Sequence, residues 1–348
     1  MTDETAAAAP YERARTEVAE FAEFAEECAT AFSRLVTVAE AGSTNADLVA
    51  ARGAAPQDWP HLSALRAVHQ TAGHGRAGRT WVTGADDALT VSIVVAPAEV
   101  SGATPAWPSL TPVVALAVVR VLRGWGLAAA IKWPNDVVLD GVEPPLPGWG
   151  PTRKIAGILA EVVPSAAGVA PAAVVGIGVN LGQRALPVPW ATSLALAGVA
   201  LSPAEVLDGI GRALLELLPR WTAGEAALAD EVAAASATLG RRVRVETGTG
   251  ADRADGGGGG ALEGVAEALD GEGRLVLRTA AGERVTVAAG DVHHLRRAEP
   301  DAVGRTRAGE DADAVGRTRA GEDADAVGTR TAAAPEEPAS DERRPDEA

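Results

Sequence analysis

Near residue 240 the hydrophobic pattern of this chain changes its period, and that change calls for two modules of different architecture. From about 33 to 200, short β-branched runs alternate with apolar segments of helical length. Ser63–His69 (SALRAVH) and Leu89–Ala96 (LTVSIVVA) read as strands, as do Ala129–Lys132, Val137–Leu139, Lys154–Val163 and Ala172–Asn180. Thr111 and Pro112 read as the N-cap and first-turn proline of a nearly all-apolar helix that stops at Gly124. Ser202-Pro203-Ala204-Glu205 has capping-box spacing and opens a second helix to about Trp221, followed by an Ala-rich segment, 223–239, that reads as a third. After 240, RRVRVET, ALEGVAEAL, GRLVLRT and ERVTVAA are short alternating strands divided by Gly or Asp turns. That pattern predicts a small all-β barrel over 240–297, and the chain as a whole belongs to the α+β class.

The flanks complete a four-part organisation. Residues 1–34 form an N-terminal extension in which 1–10 lack order and 11–32 read as one helix, with Val18, Phe21, Phe24 and Phe32 apolar. Residues 35–239 are the first module and 240–297 the second, whose first loop carries the flexible insertion GADRADGGGGG. In the final part, 298–348, the unit DAVGRTRAGEDA occurs at 301–312 and 313–324 and breaks off after DAVG. It has no apolar face with which to bury surface, so a disordered acidic tail is expected. From Glu299 onward that tail contributes −7 of the net charge of −16. An acidic body does not suit non-specific binding to nucleic acid, and about 40 residues before the first motif leave no room for a winged helix. No leader pattern and no 18-residue apolar run occurs, which predicts a soluble cytoplasmic protein with no membrane partner. The single cysteine, Cys28, excludes an intrachain disulfide and a Cys-based metal site.

Within this Ala-, Gly- and Arg-rich chain only two of 31 basic residues are lysines, and only three residues are asparagines. Lys132, Lys154, Asn45, Asn135 and Asn180 fall in four short strings, STN, IKWPND, RKIAGILAE and GIGVN. Lysine is a point charge where arginine is a planar fork, so a lysine kept against an arginine-rich background marks a site that needs the compact cation. QTAGHGRAGRTW (70–81) matches G-x-G-x-x-G through Gly73, Gly75 and Gly78, but no helix follows to receive a pyrophosphate. The alternatives are an ordinary surface turn and a glycine loop whose N–H groups and two arginines, Arg76 and Arg79, wrap an anion. Two arginines in such a loop on an acidic protein favour the second. Pro134-Asn135-Asp136 reads either as a plain hairpin corner or as a turn in which Asn135 reads a ligand edge and Asp136 holds Mg²⁺ or orients an amine, with Lys132 near phosphate. Lys154 starts a strand with Gly157 leaving space opposite a ligand, and Asn180 ends another beside glycines. No Ser-His or Cys-His pairing accompanies this set, which suits electrostatic stabilisation of a reacting phosphate and carboxylate rather than covalent catalysis.

These strings, STN at 43–45, QTAGHGRAGRTW at 70–81, KWPNDV at 132–137, RKIAGILAE at 153–161 and GIGVNL at 176–181, occur in the order and rough spacing of biotin protein ligases, which this chain resembles over about 35–297. The resemblance implies a class II synthetase-like catalytic domain, with a mixed sheet packed by helices, followed by an SH3-like barrel ending in GDVHHLR. It implies that biotin and ATP, with Mg²⁺, form biotinyl-5′-adenylate, and that biotin then passes to a lysine of a biotin carboxyl carrier domain. A monomer or weak homodimer is expected. Carried over residue by residue, Ser43, Thr44, Asn45 and Gln70 would contact the biotin head, and Gly73, His74, Gly75 and Arg76 would close over biotin and adenylate. Lys154, beside Gly157, would neutralise the biotin carboxylate and α-phosphate. Arg76 would hold the adenylate, with Arg79 and Lys132 adding positive charge, and Trp81, Asn135 and Asn180 would flank the adenine. Asp136 would serve the metal or the attacking lysine. Two departures stand out: His74 replaces the first arginine of the family's usual GRGR, and the loop 141–152 is longer than usual. Lipoate ligases and octanoyltransferases, a biotin-responsive repressor and a binding-only biotin sink are the competing readings.

Overall fold

The computed structural model describes residues 24, 31–81, 84, 87–98, 106–163, 170–247, 260–288 and 290–294. The helix expected over 11–32 lies outside them apart from Phe24 and residues 31–32, as do the repeat tail and nearly all of the glycine insertion.

In chain order the first module carries β1 (Arg34–Ala41), α1 (Thr44–Ala54), β2 (Ser63–Gln70), a short hairpin of β3 (Gly73–His74) and β4 (Thr80–Trp81), and β5 (Ala88–Val95). It continues with α2 (Leu110–Gly124), β6 (Ala129–Lys132), β7 (Asp136–Leu139), β8 (Arg153–Val163), β9 (Ala172–Asn180), α3 (Pro203–Thr222) and α4 (Ala226–Ala234). Seven of these strands make one sheet in the order β1-β2-β5-β9-β8-β7-β6. Only the β1–β2 pair is parallel; the others run antiparallel. Strand β5 is buried along its whole length because both faces of the sheet are covered, which is why LTVSIVV reads as a continuous apolar run. One face packs on α2 and α3 through Val91, Ile93, Leu116 and Leu207. The other packs on α1 and Trp59 through Leu48, Leu65 and Val94.

Local chemistry accounts for the boundaries. Ser202 Oγ accepts from Glu205 N at 3.1 Å while the Glu205 carboxylate accepts from Ser202 N at 2.8 Å, the reciprocal capping box that the sequence predicts. Helix α2 begins at Leu110, so Thr111 lies inside the first turn instead of capping it. A 3₁₀ turn over Trp107–Ser109 precedes it, and the Ser109 hydroxyl donates to Ala106 O at 2.7 Å and accepts from Trp221 Nε1 at 2.7 Å. The Ala-rich helix stops at Ala234, well short of 239. Ile131 N bonds Ala235 O at 2.8 Å and Ala237 N bonds Ile131 O at 2.7 Å, so this segment is drawn onto the edge of β6.

The second module comprises β10 (Arg242–Thr247), β11 (Gly260–Leu269), β12 (Leu275–Arg278), β13 (Arg284–Val287) and β14 (Asp291–His294). These form an antiparallel sheet in the order β13-β12-β11-β10-β14. The expected barrel is therefore open in its hydrogen bonding, with β13 and β14 as its edges among the described residues. Edge strand β14 faces the first module instead, where His294 N donates to Gly148 O at 2.9 Å and Lys132 Nζ donates to Val292 O at 2.6 Å. An edge covered in this way is protected from pairing elsewhere. Trp133, in the turn between β6 and β7, is buried among Val243, Leu275 and Leu277, and its Nε1 donates to Gly273 O at 3.0 Å. The first module thus supplies part of the second module's core.

His294 lies in this seam, 5% exposed. Burial first, then the positive charges of Lys132 and Arg241, push its imidazole from the usual 6.5 down to about 3. The unfolded chain takes up a proton below pH 6.5 that the folded chain refuses, so stability present at neutral pH is lost as pH falls toward 3. His294→Leu is expected to flatten that loss, measured as the change in urea-unfolding free energy between pH 7 and pH 5.

Candidate active site

A cleft of about 480 Å³ opens over the middle of the seven-stranded sheet. Its floor is made by register. Gly157 of β8 pairs directly with Gly178 of β9, and Gly176 sits opposite Leu159. The indole of Trp81 lies on this floor: a Cβ on Gly178 would come within 2.5 Å of the ring and one on Gly157 within 3.3 Å. Only strands bare of side chains at these positions admit the ring. Trp81 Nε1 is buried there without a hydrogen-bond partner.

The N-terminus of α1 closes one end of the cleft. Ser43 is its N-cap, accepting from Ala46 N at 3.4 Å. Gln70 Oε1 accepts from Thr44 N at 2.8 Å and Thr44 Oγ1 at 3.1 Å, and Ser92 Oγ donates to Thr44 Oγ1 at 2.9 Å. Asn45 Nδ2 donates to the Glu161 carboxylate. Asn45 Oδ1, by contrast, is buried without a partner and faces Gly176, whose Cβ would stand 3.0 Å from it.

At the other end Lys154 Nζ bonds Asp136 Oδ1 at 2.6 Å, with the ammonium 5.5 Å from the centre of the Trp81 ring. Asn135 Nδ2 donates to Ile158 O at 2.9 Å, and Asn180 Nδ2 donates to Thr192 O at 2.9 Å. The mouth is formed by the β3–β4 hairpin, whose tip is closed by Gly75 N to Arg79 O at 2.6 Å and Arg79 N to Arg76 O at 3.2 Å. Ala77 and Gly78 turn the tip with φ of 54° and 71°, a left-handed conformation that glycine adopts freely and alanine does not. The Arg79 guanidinium pairs with Asp291 of β14.

Ser43, Thr44, Asn45, Gln70, His74, Gly75 and Arg76 all line this cleft, and so do Arg79, Trp81, Asn135, Asp136, Lys154, Gly157 and Asn180. Two expected site residues stand elsewhere. Gly73 supports the hairpin from below, where a Cβ would meet Trp81 O at 2.5 Å. Lys132 is buried in the seam between the modules, bonded to Val292 O and lying 4.3 Å from the centre of the Trp149 ring. Burial pushes its ammonium down to about 8. Among the described residues no group of three or more His, Cys, Asp or Glu could hold a metal.

Sequence reasoning missed Trp190. It lines the cleft, stacks on Trp149 with centroids 6.2 Å apart, and its carbonyl accepts from Lys154 N at 2.7 Å. RALPVPW carries neither period nor a rare residue type, so only its position in space marks it. Glu161 was missed as well, because a carboxylate late in an amphipathic strand gives no sign that it holds Asn45.

A seven-stranded mixed sheet carries a cleft over a glycine floor, with hydrogen-bonded polar side chains at one end and a lysine–carboxylate pair at the other, a lining suited to a small ligand that has both polar and anionic groups. The family model for biotin/lipoate A/B protein ligases matches residues 43–180, and that for the biotin protein ligase C-terminal domain matches 253–295. The biotin–[acetyl-CoA-carboxylase] ligase of Mycobacterium tuberculosis is 37% identical over 267 residues, covering 76% of this chain and 90% of that protein. The enzyme of the same name from Paracoccus denitrificans is 35% identical over 268 residues, covering 72% and 97% respectively. In fold, the biotin protein ligase of Aquifex aeolicus, solved with biotin and ATP, superposes with a TM-score of 0.59 at 22% identity, over 76% of this chain and all of that one. The chain belongs to the biotin/lipoate protein ligase family.

Gly178→Ala is expected to push the Trp81 indole off the sheet and to cost about 1–3 kcal/mol as an overpacked contact. Near-ultraviolet circular dichroism should change while the far-ultraviolet spectrum does not, and an unaltered near-ultraviolet signal would contradict the packing described.

Proposed function

We infer that this chain is an ATP-dependent biotin protein ligase that forms biotinyl-5′-adenylate and transfers biotin to the acceptor lysine of a biotin carboxyl carrier domain, such as that of acetyl-CoA carboxylase. The observation that carries the choice of acid is Asn45 Oδ1, a buried acceptor with no donor, facing a bare glycine at the closed end of the cleft. An unpaired buried carbonyl is costly, by about 1–3 kcal/mol, unless a ligand supplies an N–H. The ureido ring of biotin has two such N–H groups; the dithiolane of lipoate and the chain of octanoate have none. Ser43, Thr44 and Gln70 complete that polar end, and the Trp81 indole that covers the glycine floor offers a flat face to the apolar remainder.

In the first step a carboxylate oxygen of biotin bonds to the α-phosphorus of ATP, the bond to the β-phosphate oxygen breaks, and pyrophosphate leaves. Two anions must approach, so a cation between them lowers the barrier, and the Lys154 ammonium is a point charge that can serve both oxygens. Arg76 and Arg79 at the mouth, with His74 as a hydrogen-bond donor, cover the adenylate and keep water from the mixed anhydride. Trp81, Asn135 and Asn180 flank the adenine. In the second step the acceptor amine attacks the acyl carbon and AMP departs, while Asp136 would orient the amine and take its proton. Mg²⁺ would come with the triphosphate, for which Asp136 is one candidate carboxylate; Mg²⁺ is commonly held by one or two carboxylates plus substrate phosphates. Lys132 would act on the nucleotide only indirectly, through the seam it occupies.

The second module fits an SH3-like fold whose barrel is left open: β11 is bent by a bulge between Ala266 and Ala268, and β14 is turned toward the first module. No helix among the described residues is long and apolar enough to cross a membrane, and a cytoplasmic location goes with the proposed carrier substrate.

Pyrophosphate release from ATP tests the reading, with biotin, lipoate and octanoate supplied in parallel. Release with biotin alone is expected. Release with lipoate or octanoate instead would move the chain to the other branch of its family. Lys154→Arg is expected to lose most adenylation, by about a hundredfold as for loss of an electrostatic contact to the reacting group, with the fold kept. Arg76→Gly is expected to let the adenylate escape, seen as biotin labelling of bystander proteins on a streptavidin blot.

A further inference from the structure

Among the described residues, strand β14 is bonded to three separate segments of the first module. Val292 O accepts from the buried Lys132 ammonium at 2.6 Å, next to the β6–β7 turn that carries Asn135 and leads into Asp136. His294 N donates to Gly148 O at 2.9 Å in the long loop 141–152. These two bonds fix the strand, and from its first residue Asp291 offers its carboxylate to Arg79 in the glycine loop. Strands β3 and β4 are two residues each, and the tip between them is closed on itself by Arg79, whose N–H bonds Arg76 O at 3.2 Å and whose O accepts from Gly75 N at 2.6 Å. Fixing Arg79 therefore fixes Gly75 and Arg76 as well. Asp291 itself does not line the cleft.

We propose that Asp291 is a positioning residue for adenylation: acting across the module boundary through Arg79, it holds the glycine loop over the mouth of the cleft and slows escape of the intermediate. This rests on the ligase reading. Both side chains are more than half exposed, at 60% and 52%, so the effect is graded rather than all-or-none. An exposed pair of this kind is worth about two- to fivefold in an equilibrium. The pair also makes the second module part of the lid, with no residue of that module touching the substrate.

The test uses the full chain with Asp291→Asn, Asp291→Glu, Arg79→Gln and the Asp291→Asn/Arg79→Gln double variant. In the unliganded protein, Asp291→Asn is expected to speed amide hydrogen exchange over residues 75–79, with Asp291→Glu restoring protection. Release of preformed biotinyl-adenylate should quicken about two- to fivefold in Asp291→Asn. The double variant should be no worse than Arg79→Gln alone, since both substitutions break one contact. Unchanged exchange and release, additive effects in the double variant, or slower release in Asp291→Asn would each overturn the proposal; the last would mean that Asp291 withholds Arg79 from the anion. Thermal unfolding of Asp291→Asn should match the parent chain, which separates loop positioning from general destabilisation. The exchange measurement needs no ligand, so it judges the brace even if the parent chain releases no pyrophosphate with biotin, a result that would sink the ligase reading alone.

Discussion

The register of β8 against β9 is the constraint on which the site depends. It sets Gly157 opposite Gly178, so that two neighbouring strands present bare backbone at one height, and with Gly176 they leave a trough in the middle of a sheet otherwise filled with Val and Ile. A slip of one residue would turn Ile158 and Ile177 into that space and expose their core face. The separate pairing of β7 with β8 brings Asp136 level with Gly157, and from there its carboxylate meets Lys154. The slot for Trp81 and the lysine–carboxylate end of the cleft are thus positioned by the backbone pairing of β8 with its two neighbours.

Around that trough the polar groups divide into satisfied and waiting ones. Gln70, Thr44 and Ser92 bond one another, and Asn135 and Asn180 bond backbone carbonyls, which holds them in fixed orientations. Asn45 Oδ1 and Trp81 Nε1 are buried and unpaired. A site whose scaffold is hydrogen-bonded in this way is pre-organised, so little ordering is left for a binding step.

The two modules are coupled more closely than two domains joined by a linker. Trp133 from the first completes the core of the second, and Lys132, its neighbour in sequence, is bonded to β14. KWPND consequently serves both the seam and the cleft: Lys132 and Trp133 face the seam, while Asn135 and Asp136 line the cleft. An alternating strand-helix-strand pattern cannot reveal this division, because neighbouring residues in a turn have no fixed period.

Much of the fold was determined by sequence alone. The strands Ala129–Lys132 and Ala172–Asn180, the capping box at Ser202 and the switch to short strands after 240 follow from local rules: β-branched runs, reciprocal capping and period-two alternation. The rare lysines and asparagines marked the motifs, and Lys154, Asn45, Asn135 and Asn180 all reach the cleft. What only the tertiary structure decided depends on partners distant in the chain. Lys132 left the site because Val292, 160 residues away, offers its carbonyl. The barrel stayed open because β14 bonds the first module. Trp190 became part of the cleft because Lys154 holds its carbonyl. Propensity and spacing act over a few residues, whereas burial and hydrogen-bond completion are settled among whatever groups the fold brings together.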